Sequence, residues 1–348
     1  MIIRNKEFSI PIIQGGMGVG VSLGNLAGHV ALCGGIGIIS SVNAGYREED
    51  FNINPRQANL RALEQEIKKA KEIADGHGLV GVNIMTAVTG YEETVKTAVA
   101  AGADVIISGA GLPMKLPEYL AGSDTLCAPI VSSARAAKLL LNQYQKRYQT
   151  KPDFFVLEGH LAGGHLGFSK EELFDNQAKS NDEILDELLV VAGDIPVFVA
   201  GGVFDGNDMA HFVKKGAAGV QIGTRFIATQ ECDAAQGFKD VILAAKEEDL
   251  RIIVSPVGMP ARAVFSPLLQ RLKDGEKFPA IRCNNCLTAC KKNDETPYCI
   301  SRALIEAAKG NKEDGLFFTG ANAGRINRMY SVRELITEIY EEYREAME

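Results

Sequence analysis

Eight short apolar runs, each closed by glycine or another small residue and separated by helix-length stretches, set the strongest limit on how this chain can fold. They lie at residues 10–13, 36–39, 80–84, 105–107, 129–131, 154–157, 196–199 and 219–222. The runs are continuous rather than alternating, as in Val105-Ile106-Ile107 and Val197-Phe198-Val199. That pattern suits parallel strands covered on both faces. Ala-Gly-Ala-Asp before Val105 and Ala-Gly-Gly after Val199 are strand punctuation that buried helices do not carry. Eight such strands is the number that a closed (β/α)8 TIM barrel requires. A barrel of about 250 residues plus an added segment accounts for a chain of 348.

The expected organisation is a barrel core over residues 1–230, followed by a helical, cysteine-containing appendage over 231–348 packed on the barrel. Leu60, Leu63, Ile67 and Ala70 recur at helical spacing opposite Glu and Lys, so they predict an outer helix. Residues 134–147 and 183–192 read the same way. Ser331-Val-Arg-Glu334 is a capping box, and it opens a helix with an apolar stripe through Val332, Leu335, Ile336, Ile339, Tyr340 and Tyr343. The stripe is expected to cover the chain's own barrel; a homo-oligomer in which it meets a partner subunit is the other arrangement.

Apolar residues at 46% and charged residues at 23% are ordinary for a globular protein. The net charge of −7 argues against binding nucleic acid or anionic lipid. No run of about 18 apolar residues occurs, and Met1-Ile-Ile-Arg-Asn-Lys6 has no secretory h-region, so no membrane span and a cytoplasmic location are expected. A small molecule is the expected substrate.

Glycine marks where a ligand could approach the backbone. Gln14-Gly15-Gly16-Met17-Gly18 follows the first run, Ala200-Gly201-Gly202 the seventh, and Gln221-Ile222-Gly223-Thr224 closes the eighth. Without Cβ atoms, main-chain amides there can reach an anion. In barrels the last two strand ends commonly bind phosphate, with a helix N-terminus contributing. The sixth run leads into Glu158-Gly-His-Leu-Ala-Gly163-Gly-His165-Leu-Gly167, which holds two of the five histidines. Histidine exchanges protons near neutral pH, and His165 is the candidate for that chemistry. His160 is read as bonding its own loop, and His29, His77 and His211 as structural or solvated.

Six segments in order, Pro11-Ile-Ile-Gln-Gly-Gly-Met-Gly18, Gly81-Val-Asn-Ile-Met85, Gly109-Ala-Gly-Leu-Pro113, Ala162-Gly-Gly-His165, Ala200-Gly-Gly-Val203 and Gln221-Ile-Gly-Thr-Arg-Phe226, resemble the nitronate monooxygenase family, formerly called 2-nitropropane dioxygenase. The same motifs are similar to those of flavin-dependent enoyl-acyl-carrier-protein reductases. The resemblance implies an FMN-binding barrel with His165 catalytic. By the same likeness Asn83 lies near the flavin ring, and Gln14, Gly15 and Met17 line it from the first loop. Glu158 and Gly163 contact the flavin from the sixth loop, and Gly201, Gly202, Gly223 and Thr224 surround its phosphate with Gln221 nearby. Family members often carry glutamine where this chain has Glu158, and an acid where it has Leu161. A carboxylate beside a reduced, anionic flavin is unfavourable unless it is protonated or hydrogen-bonded to ribityl hydroxyls.

Cys283-x2-Cys286-x3-Cys290-x8-Cys299 sets four thiols within reach of one centre, the number for either structural zinc or a four-iron cluster. The spacing resembles the iron–sulfur segment of dienoyl-CoA reductases, where the last gap is longer. Unligated packing thiols are the remaining reading. For activity, oxidation of alkyl nitronates by oxygen stands first. The alternatives are NAD(P)H-dependent reduction of an enoyl thioester, an NAD(P)H:quinone reductase, a flavin-binding electron-transfer module without turnover, and a non-flavin phosphosugar enzyme.

Overall fold

In the computed structural model, which describes residues 1–280, 283–288, 290 and 296–348, all eight predicted strands form and close on one another. They are β1 (Ile12–Gln14), β2 (Ile36–Ser40), β3 (Leu79–Met85), β4 (Val105–Gly109), β5 (Leu126–Val131), β6 (Phe155–Glu158), β7 (Val197–Ala200) and β8 (Gly219–Ile222). Every neighbouring pair is parallel, and β8 returns to β1 through Val220↔Ile12 and Ile222↔Gln14. The (β/α)8 TIM barrel read from the sequence is therefore the fold.

Side chains fill the interior, as parallel closure demands. Ile13, Ile38, Val105, Ile107, Val156 and Phe198 pack there as one buried cluster. Phe154 and Phe198 meet edge to face at 5.1 Å. A short ribbon, Ile2–Ile3 with Lys6–Glu7, adds Ile3 and Phe8 to the same cluster.

The outer helices form where spacing and caps place them. Pro55–Ala74 starts on proline and buries Ala58, Ala62, Leu63, Ile67, Ala70 and Ala74, with Leu60 half-buried at the margin. Ser133 caps Ala134–Tyr148, and Ser180 with Glu183 forms a capping box on Asn181–Ala192. The Ser331–Glu334 box opens Val332–Met347, whose Val332, Leu335, Ile336 and Ile339 are buried. This helix lies on the chain's own barrel: the Gly206 amide donates to Glu342 at 2.9 Å, and a Cβ at Gly206 would strike the helix backbone.

The segment after residue 230 holds more than helices. Strands β9 (Leu250–Val254) and β10 (Pro260–Val264) form an antiparallel hairpin, and β10 also pairs with the two-residue strand Gly164–His165. Among the described residues no helix is long and apolar enough to cross a membrane.

Candidate active site

The loops at the carboxyl ends of the barrel strands enclose a cavity of about 450 Å³. That is the size range of small-ligand and cofactor sites. Gly15 and Met17 line it from the β1 loop, Asn83 from β3, Glu158, Gly163 and His165 from the β6 loop, Gly201 and Gly202 from β7, and Gln221, Gly223 and Thr224 from β8. The structure thus brings eleven of the twelve predicted barrel residues to one surface; the exception is Gln14.

Gln14 is fully buried, and its side-chain oxygen accepts from the Ile38 amide at 3.1 Å while its nitrogen donates to the Ile38 carbonyl at 3.2 Å. It stitches β1 to β2 and does not line the cavity. A strand-end glutamine next to a glycine loop reads like a loop residue, yet its side chain is claimed by the neighbouring strand.

One end of the cavity is a cradle of main chain. Gly201 and Gly202 have φ of +84° and +99°. A Cβ on them would come within 2.7 Å of the Gly159 carbonyl and 2.9 Å of the Leu161 side chain, respectively. Asn322 Nδ2 donates to the Gly202 carbonyl at 2.6 Å. Thr224 Oγ1 accepts from the Gly320 amide at 2.9 Å, which leaves its own O–H free to donate into the cavity. The helix after Gly223, Thr224–Ile227, is a single turn, so individual amides and this hydroxyl, rather than a macrodipole, supply the donors. Arg225, only 4% exposed, pairs with Glu338 at 2.7 Å and stacks on Phe204 and Tyr330. It holds a fixed cation in the same wall.

These residues fit a phosphorylated flavin. Amides freed by glycine suit its phosphate, and Gln221 Oε1 and Thr319 Oγ1, both buried without a partner among the described residues, suit its hydroxyls. Met17, Met85 and Val42 supply apolar surface for a ring.

At the other functional pole are two titratable groups that burial pushes apart. The Glu158 carboxyl, at the end of β6, has no hydrogen-bond partner among the described residues, and burial raises its pKa to about 7. His165 is lowered to about 4 by burial, so its imidazole is neutral at physiological pH. The β10 register (Ala261↔His165) fixes the His165 backbone, Ser255 Oγ lies 3.0 Å from its Nε2, and Phe318 stacks edge-on at 5.4 Å. Arg262, beside it on β10, donates to the carbonyls of His160 and Ala162, each at 2.7 Å, and so pins the loop.

Sequence reasoning missed Ser255, Arg262, Thr319 and Asn322. The available signal was the turn Pro256-Val-Gly258 between two short β-prone runs, which marks a hairpin. His29, His77 and His211 behave as read, contacting the carbonyls of Asn25 and Ala74 and the carboxylate of Asp182. His160, expected to bond its own loop, reaches the Lys179 carbonyl instead, the loop's His160 and Ala162 carbonyls being held by Arg262. Cys283, Cys286, Cys290 and Cys299 are free thiols, with Cys286 on the cavity wall. Among the described residues no three metal-ligating side chains stand together as a site.

The family model for nitronate monooxygenase matches residues 3–342. A relative from Rhodococcus jostii, (3aS,4S,5R,7aS)-5-hydroxy-7a-methyl-1-oxo-octahydro-1H-indene-4-carboxyl-CoA dehydrogenase, is 26% identical over 94% of this chain and 91% of its own. A probable nitronate monooxygenase from Staphylococcus saprophyticus is 27% identical over 56% of this chain and 52% of its own. Among solved structures, FabK from Thermotoga maritima superposes with a TM-score of 0.75 at 26% identity, covering 97% of this chain and 94% of that one. A nitroalkane oxidase from Streptomyces ansochromogenes shares the fold, with a TM-score of 0.75 at 22% identity over 97% of each chain. A match spanning all eight strands and both the cradle and the histidine loop makes this chain an FMN-dependent oxidoreductase belonging to the nitronate monooxygenase family.

Proposed function

We propose that the cavity binds FMN with its phosphate among Gly201, Gly202, Gly223 and Thr224 and its ring beside Met17, Asn83 and His165, and that the substrate oxidised there is an alkyl nitronate, with oxygen as acceptor. The observation that carries this reading is a neutral imidazole, His165, set in the wall of the same cavity as the glycine cradle. Bound FMN supplies electron uptake from the substrate and delivery to oxygen.

The chain's own residues bind and orient. With Ser255 holding Nε2, the nitrogen left to His165 is Nδ1. When Ser255 donates, Nδ1 carries the proton and hydrogen-bonds a nitro oxygen; when Ser255 accepts, Nδ1 is a base for an α-proton. Below pH 7 Glu158 is mostly protonated and adds no carboxylate charge to repel the nitronate. We place the protein in the cytoplasm on its free thiols, which a reducing compartment preserves.

A second reading, oxidoreduction of an acyl thioester with NAD(P)H as the nicotinamide partner, draws support from the comparisons. The carboxyl-CoA dehydrogenase aligns over nearly the whole chain, whereas the nitronate monooxygenase relative aligns over about half. Stopped-flow mixing separates the two. Flavin reduced directly by a nitronate and reoxidised by oxygen supports the first. Reduction by NADPH followed by reoxidation with an enoyl thioester, and indifference to nitronates, replaces it with the second.

A further inference from the structure

The cysteine-bearing segment has no task in either reading, yet it is built into the cavity wall. Thr89 donates its amide to the Cys286 carbonyl at 3.1 Å, Thr288 donates to that of Ala87 at 3.0 Å, and Leu287 bridges Val88. These bonds fasten the segment over the loop after β3. Between Cys283 and Cys286 the chain turns tightly: Asn285 has φ of +53°, and its amide donates to Cys283 Sγ at 3.4 Å. Cys299 caps the helix Ile300–Ala308, with its own amide donated to Phe278 at 3.2 Å. The ionisable groups that interact with Cys286 are the other three thiols, with no carboxylate or imidazole among them.

We infer that Cys283, Cys286, Cys290 and Cys299 hold an iron–sulfur cluster in the wall of the flavin cavity. As free thiols they do not converge at coordinating distance. Cation binding and local ordering come together in such sites, so the four sulfurs are brought together by the ion they bind. Four sulfur donors without nitrogen or oxygen suit zinc as well as iron. The position decides for iron, because Cys286 faces the cavity and only a redox-active centre has a use beside a flavin. This use, though not the cluster's existence, rests on the flavin reading above. Each transfer removes one electron from the reduced flavin and turns one ferric iron ferrous.

The test is iron, acid-labile sulfide, zinc and flavin analysis of the full chain purified without oxygen, with electron paramagnetic resonance after dithionite. About four iron and four sulfide per chain are expected, with a signal from the reduced cluster. Cys286→Ala and Cys299→Ala should each lose the iron and keep the flavin, whereas Cys33→Ala keeps both. If either variant fails to fold, reconstitution of the metal-stripped wild type with ferrous iron and sulfide gives the same answer. Absence of iron after purification and reconstitution overturns the inference, as does stoichiometric zinc in its place. Flavin without iron leaves the oxidoreductase reading standing; iron without flavin leaves the cluster standing and removes that reading.

Discussion

His165 and Glu158 share one cavity and are shifted in opposite directions, so each leaves its own signature on pH. Glu158 binds its proton more tightly folded than unfolded, with a pKa of about 7 against an ordinary 4.5. The folded chain therefore loses stability as pH rises from about 4.5 to 7, an effect of about 3 kcal/mol at most. His165 works the other way: its pKa of about 4 means stability is lost as pH falls from about 6.5 towards 4. Glu158→Gln should raise Tm at pH 8 and leave it nearly unchanged at pH 4.5, by calorimetry. For an anionic nitronate, kcat/KM should fall above pH 7 in the wild type and stay flat in Glu158→Gln; a fall retained by the variant assigns it to another group. His165→Ala should cost roughly 10²–10⁴ in turnover with flavin content unchanged. Equal turnover removes His165 from the chemistry. His165 was legible because a histidine in a glycine loop after a strand has few structural reasons to be there. Its partner Ser255 was not, since ninety residues separate them in the chain.

At the scale of elements, what could be read depended on how local its cause is. Strands buried on both faces announce themselves as unbroken apolar runs, so all eight emerged. Strand β9 is half exposed and mixes arginine with isoleucine, so it lacks the unbroken apolar run of a barrel strand and the hairpin left no local trace beyond its turn. The glycine loops were legible for a steric reason, and the structure gives Gly164, Gly201 and Gly202 a positive φ that side chains avoid. Gly202→Ala should weaken FMN binding at least about tenfold, read by fluorescence titration, because the backbone must shift to relieve the contact with Leu161. Arg262 is the hairpin's hold on the histidine loop. Arg262→Met leaves two carbonyls without their charged donor and should cost about 3 kcal/mol, seen as a lower midpoint in denaturant. A midpoint equal to wild type would mean the loop is held by other bonds.

For the whole molecule, the sequence pattern divides near residue 230, where the βα rhythm stops, but the cavity does not respect that line. Met259, Ile300, Leu304 and Phe318 wall it from beyond the boundary, and β10 completes the sheet that carries His165. We propose that the two parts fold as one unit. A fragment of residues 1–230 should show no cooperative thermal transition and retain no flavin; a folded, yellow fragment would restore the boundary as a domain border. What composition and spacing could not convey was this interdependence, because contacts between distant segments have no periodicity.

The packed barrel interior also dictates traffic. With Phe8, Phe154 and Phe198 packed in the barrel interior, nothing reaches the cavity through the barrel itself. An organic reductant and a bulky second reactant cannot occupy the flavin together or exit by a back door. For NAD(P)H and an acyl thioester the first product has to vacate before the next molecule enters, so that pair should follow ping-pong kinetics with parallel double-reciprocal lines, whereas oxygen is small enough to enter beside a bound nitronate and intersecting lines are expected there.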